Sequence, residues 1–289
     1  MNLILGSGWN AFILKCIFPK SKIVSFKKFK TPPLFHIHYT EKVLDFLQYV
    51  HNNYGFHYEL VDIKVGCIDR DFNLIDKNDI EKYLPIYRQK SKKFGNEKIM
   101  NNLNFSYKAF KPLDSDEKYD DFLSDNCIKG AMIEVVNANE VCILKRKKEC
   151  NILSNQRYKY IFSTIPLPEL AHKYLKYGIE GNFQTFHKAW EKINPLSTKY
   201  KKLQEFNSYE YIYDMSPDTD TIRYIKINHS WYGEKVIHND NIVADYILPN
   251  CVIQQSMNNV ETLNGIQLVG RYAQWNNKLL THHTIERFW

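Results

Sequence analysis

Near the start of the chain, Gly6-Ser7-Gly8-Trp9-Asn10-Ala11 follows the apolar run Leu3-Ile4-Leu5 and precedes Phe12-Ile13-Leu14. This order reads as a strand, a glycine turn and the first turn of a helix, the arrangement that cradles a dinucleotide pyrophosphate. Gly6 permits the tight turn out of the strand. Gly8 lets backbone N–H groups approach a phosphate with no Cβ in the way, and Ala11 is small enough for the helix to pack on the strand. The helix start adds unpaired N–H groups and a partial positive charge, which favour an anion.

Near the other end, Gly265-Ile266-Gln267-Leu268-Val269-Gly270-Arg271-Tyr272 repeats the pattern of an apolar strand and a glycine, followed by a polar and aromatic loop carrying Trp275 and a helix beginning near Thr281. Arg271, or the N–H groups after Gly270, is placed to meet developing negative charge on a ligand. His282 and His283 read as first-turn helix residues, while His36 and His38 alternate on an extended segment. A segment near the middle, Tyr87-Arg88-Gln89-Lys90, interleaves aromatic and basic side chains, and Arg88 with Arg223 is the arginine pair that could be nominated for a diphosphate.

These residues need elements to hold them. Residues 2–5, 9–18 and 22–26 form a βαβ start; in such a unit the second strand usually ends in an acid that binds ribose hydroxyls, and here Ser25, Phe26 and Lys27 stand there, leaving the ribose to Ser25 or to main chain. Residues 40–53 predict an amphipathic helix capped by Thr40. A strand over 58–65 should break at Gly66, and a short helix over 77–83 should end before Pro85. Residues 87–130 have no clean period. Two apolar runs, 131–136 and 140–144, predict a hairpin turning on Asn137 and Asn139. A strand over 158–163 leads into Thr164-Ile165-Pro166 and a helix from about Glu169, and 208–214, 221–230 and 250–256 look like antiparallel strands.

The two ends together resemble the FAD-binding, glutathione-reductase-like fold of the amine-oxidase and protoporphyrinogen-oxidase families, and especially UDP-galactopyranose mutase. The segments carrying the resemblance are the Gly6–Ala11 turn, the strand and Thr164-Ile165-Pro166 turn, and the run from Leu268 through Arg271 to Glu286. It implies an α/β protein with a discontinuous Rossmann-like FAD domain over 1–35, 155–170 and 262–289, and an inserted, mainly antiparallel substrate domain over 36–154 and 171–261. It further implies FAD bound by Gly6, Ser7, Gly8, Trp9, Asn10, Ala11, Ser25, Thr164, Gly270, Arg271, Tyr272 and Trp275. Arg271 and His36 are the implied catalytic residues, with Tyr87, Arg88, Lys90 and Arg223 on an anionic substrate. The missing acid after the second strand departs from the family pattern, as does Lys30–His36 in place of a second glycine pair with Arg.

Bulk properties bound these expectations. With 289 residues, 44% hydrophobic and 15% aromatic content, the chain can bury a substantial core. No apolar run reaches the roughly 20 residues of a membrane span, and the first apolar stretch lacks a basic leader region, which predicts a cytosolic protein. The six cysteines follow no metal-like spacing, so they read as buried thiols, and no metal is expected. A net charge of +7 suits an anionic partner. The leading expectation is an FAD-dependent oxidoreductase acting on an amine, an amino acid or an amine-bearing nucleotide or base. The alternatives are a mutase-like, non-redox flavoenzyme on a sugar nucleotide, and a Rossmann-like nucleic-acid binder, for which no binding motif is present.

Overall fold

The structure is a computed structural model that describes residues 1–25, 27–91, 106–124, 127–129, 131–137, 140–145, 158–175, 183, 185–237, 251–253, 260–263, 265–276 and 278–289. In chain order its elements begin with β1 (Leu3–Leu5), α1 (Trp9–Ile17), β2 (Lys22–Ser25), β3 (Ile37–His38), α2 (Glu41–Tyr54), β4 (Tyr58–Ile68), a 3-10 segment (Lys77–Tyr83), α3 (Leu84–Ser91), β5 (Ser106–Pro112) and α4 (Asp116–Ser124). They continue with β6 (Cys127–Lys129), β7 (Ala131–Asn137), β8 (Glu140–Lys145), β9 (Ile161–Ser163), a π-helical turn (Glu169–Leu175), β10 (Thr185–Lys192) and α5 (Thr198–Gln204). The last are β11 (Tyr211–Asp214), β12 (Arg223–Ile227), β13 (Ser230–Ile237), β14 (Cys251–Ile253), β15 (Thr262–Leu263), β16 (Ile266–Leu268) and α6 (Thr281–Phe288).

Two compact units divide the chain. The first takes Met1–Leu60, Phe110–Phe183 and Ser256–Trp289, and the second Val61–Ala109 and Gln184–Gln255. In the first unit six strands lie in the order β15-β16-β9-β1-β2-β6. β16, β9, β1, β2 and β6 run parallel, with Leu5 opposite both Val24 and Ser163. Leu3, Ile4 and Leu5 are fully buried, as expected of a central parallel strand covered on both faces.

α1 lays Phe12 into a ring cluster with Trp9, Phe29, Phe56 and Tyr119. Removing one such buried ring costs about 3–5 kcal/mol. α2 starts where the sequence predicts, because Thr40 Oγ1 accepts the Val43 N–H at 3.2 Å. α2 and α4 belong to this unit, since Val43, Phe46, Leu47 and Val50 from α2 and Tyr119 and Leu123 from α4 enter the same core. The 131–144 hairpin is present as the antiparallel pair β7–β8, with Ile133 opposite Ile143; residues 138 and 139 of its turn lie outside the described residues.

The second unit holds the sheet order β14-β10-β13-β12-β11-β4. β10, β13, β12 and β11 pair antiparallel, but β11 runs parallel to β4, with Tyr211 opposite Val65, so the expectation of a purely antiparallel arrangement for 208–214 is corrected. β4 also continues through Gly66 instead of breaking there, and the Tyr209 ring stands at the space a Cβ at Gly66 would need. The short helix expected over 77–83 is present as the 3-10 segment Lys77–Tyr83 and ends before Pro85; α3 then begins at Leu84 with Pro85 as its second residue, where its missing N–H has no intrahelical acceptor to lose.

Candidate functional site

At the carboxyl ends of the parallel strands the first and last motifs meet. The Gly6 N–H donates to Val24 O at 2.8 Å, and the Thr164 N–H donates to Leu5 O at 2.8 Å, with Thr164 Oγ1 donating to the same carbonyl at 3.1 Å. Gly6 has φ +121°, and a Cβ there would drive into Thr164 Oγ1. Gly270 has φ +91°, and a Cβ there would drive into the Asn10 carboxamide. Asn10 Oδ1 in turn accepts from Thr284 Oγ1 at 2.7 Å. Both glycines are therefore fixed by backbone conformation and by contact together. The ends of β1, β9 and β16 and the starts of α1 and α6 form one lattice, on the side of the sheet where strand order reverses about β1 and ligands bind in open α/β folds.

The start of α1 is open. Gly8 is its N-cap, no side chain caps it, its first turn carries no acid, and nothing lies within 4 Å of where a Gly8 Cβ would stand. The N–H groups of Trp9, Asn10 and Ala11 have no acceptor within the helix, whose first bond runs from the Phe12 N–H to Gly8 O. Beside it lies Arg271, partly buried, with its Nε donating to Leu279 O at 3.1 Å. Burial lowers its pKa, and among the described residues no carboxylate pairs with it. A groove beside Gly270 is lined also by Glu261, Gln274, His283, Thr284 and Arg287, with Arg271 outside its lining. The Leu167 N–H donates to Tyr272 O at 3.0 Å, tying the turn after Thr164 to the Arg271 loop.

Other sequence-derived candidates sit elsewhere or do other work. The Trp9 indole is buried and stacked on Phe35 at 4.5 Å, so its ring belongs to the core and its backbone N–H alone is offered to a ligand. Trp275 is likewise buried, with its edge against Phe183 at 5.3 Å. The Ser25 hydroxyl closes its own turn, donating to Lys27 O and accepting the Lys27 N–H; Phe26 lies outside the described residues. His36 is partly buried, and burial, Lys111 and His38 lower its pKa to about 4 against a bond to Leu34, so the ring is neutral at pH 7.

The four substrate candidates belong to the second unit. Tyr87 is buried against Tyr213, and burial raises its hydroxyl to about 12. Lys90 is buried too, donating to Asp214 O and Oδ1, Thr219 Oγ1 and Thr221 O. Arg223 forms a two-pronged pair with Glu234, at 2.9 Å through both Nε and Nη2, and Glu234 also accepts from Lys188 and from Trp190 Nε1. Within the chain the charges of Lys90 and Arg223 are thus paired with Asp214 and Glu234. Arg88 is exposed. Sequence reasoning missed Thr284, Asp214 and Glu234, whose partners lie far away in sequence or across a strand pair.

No protein-family model matches the sequence, and no curated protein matches it. Among solved structures, reduced UDP-galactopyranose mutase is similar with a TM-score of 0.54 and 8% identity, covering 99% of this chain and 93% of that one. Putrescine oxidase bound to putrescine gives a TM-score of 0.53 at 5% identity, covering 99% and 97%. A flavoprotein/dehydrogenase from Cytophaga hutchinsonii gives 0.50 at 12%, covering 99% and 75%. At these identities the likeness establishes the fold alone: mixed α/β with a parallel sheet, shared with these solved structures.

Proposed function

We propose that the chain is an FAD-dependent oxidoreductase whose cofactor lies over the Gly6–Ala11 turn and reaches the Gly270-Arg271 loop. The observation that carries this reading is the open, uncapped N-terminus of α1 at Gly8, fastened through Asn10 to Gly270 and Thr284. The three free N–H groups suit a pyrophosphate. Arg271, without a carboxylate partner among the described residues, suits an anionic edge or group farther along the cofactor. The ribose position fits less closely, since Ser25 is engaged with Lys27 and supplies no acid. Retention of the cofactor then rests on the phosphates and the flavin end.

Bound flavin supplies hydride or electron acceptance, so the protein's part is to bind, orient and stabilise charge. Arg271 holds a positive charge in a partly buried loop, and His36, kept neutral by burial, Lys111 and His38, is the second residue assigned to the chemistry. The substrate side of the reading, oxidation of an amine or an amine-bearing nucleotide or base, is supported by the fold likeness to putrescine oxidase. A non-redox reaction on a sugar nucleotide has less support in the described residues, because Arg223, one of the two arginines nominated for a diphosphate, is already paired with Glu234.

Heating the purified chain and identifying the released chromophore tests the proposal. It predicts FAD in the supernatant, near one per chain; a colourless protein that also fails to take up added FAD overturns it.

A further inference from the structure

Three imidazoles and a carboxylate meet around the start of α6. The ring of His38, from β3, lies 5.2 Å from that of His282, and the His282 and His283 rings are 4.0 Å apart. One ligand atom from each of His282, His283 and Glu286 lies within 4.8 Å of the others. His282 Nδ1 is buried and has no hydrogen-bond partner, an uncommon state for a buried ring nitrogen. His282 and Glu286 stand one helical turn apart, so their side chains share a face.

We propose that His282, His283 and Glu286, with His38 beside them, bind one divalent transition-metal ion of the zinc class. Imidazole nitrogens with one carboxylate suit zinc, cobalt, nickel or copper, whereas magnesium and calcium prefer an all-oxygen shell. The start of α6 carries partial positive charge and no first-turn acid, and Glu286 supplies the anion that a cation needs there. Lys42 binds the Glu286 carbonyl and not its carboxylate. His283 Nδ1 accepts the Leu280 N–H at 2.9 Å. The site does not depend on the FAD reading.

Cobalt(II) titration of the full chain, read by visible absorption, tests the site. Saturation at one cobalt per chain, displacement by zinc, and a loss of affinity of at least about tenfold in both His282→Gln and Glu286→Gln are expected, with His172→Gln unchanged. Absence of a saturable signal, or equal affinity in Glu286→Gln, overturns the proposal. Because Glu286 is exposed, that variant keeps its fold and decides the matter if His282→Gln does not fold.

Discussion

Arg271 keeps its charge in a partly buried loop with a backbone carbonyl as the acceptor for its Nε. If the flavin's anionic edge is its missing partner, Arg271→Ala leaves occupancy near normal but lowers the reduction potential and slows flavin reduction. By analogy with oxyanion donors the effect is roughly 2–4 kcal/mol per donor. Potentiometry and stopped-flow reduction check it, and unchanged values would assign Arg271 a structural role. Glu234 gives a stability prediction. Burial alone would raise its carboxyl, yet Arg223 and Lys188 override this and hold it well below the usual range. A depressed folded value stabilises above the unfolded value near 4.3, and that stability is lost as pH falls below it toward the folded value. Glu234→Gln leaves two cations without a counter-charge and should cost roughly 3–5 kcal/mol at pH 7 in urea unfolding, with the difference from the native chain shrinking in acid. The glycines were legible in the sequence because turn, strand and helix are local there. Lys90 and Arg223 were not, because a basic residue looks the same in sequence whether its charge faces a ligand or a buried carboxylate, which lies 124 residues away for Lys90 and 11 away, across a strand pair, for Arg223.

At the scale of elements, the last strand and helix are part of the cradle. Arg287 pairs with Glu261 and reaches Leu268 O, Thr284 binds Asn10, and Ile285 is fully buried. Deleting residues 265–289 should therefore unfold the first unit; a soluble, flavin-loaded truncation would show these elements to be dispensable. β1, α1, β2 and α2 were legible because their periods and caps are strong. β13 was missed since Asn228-His229 turns the β12–β13 hairpin with both residues at positive φ, 46° and 66°, without the Asn-Gly pair that announces such a turn. The parallel pairing of β11 with β4 joins segments some hundred and fifty residues apart, and nothing local encodes it. The meeting of His38 with His282 is hidden by the same kind of separation.

At the scale of the molecule, a net charge of +7 surrounds a cradle suited to phosphates. Binding of FAD should weaken as salt is raised from 0.05 to 0.5 M, values chosen because the screening length is about 10 Å at 0.1 M and shortens with ionic strength. Isothermal titration across that range checks it, and a salt-independent affinity would place the contribution in apolar contacts instead. The central claim is that the α1 N-terminus is the pyrophosphate site, and the space beside Gly8 is where this is most exposed to test. A valine there fills that space without touching any protein atom within 4 Å of the new Cβ, so the fold is expected to survive. The decisive measurement is an FAD titration of the native chain and Gly8→Val, followed by flavin fluorescence, with far-UV circular dichroism as the control. Saturable binding by the native chain and its loss in a folded Gly8→Val protein is the predicted result; equal binding by both would contradict it.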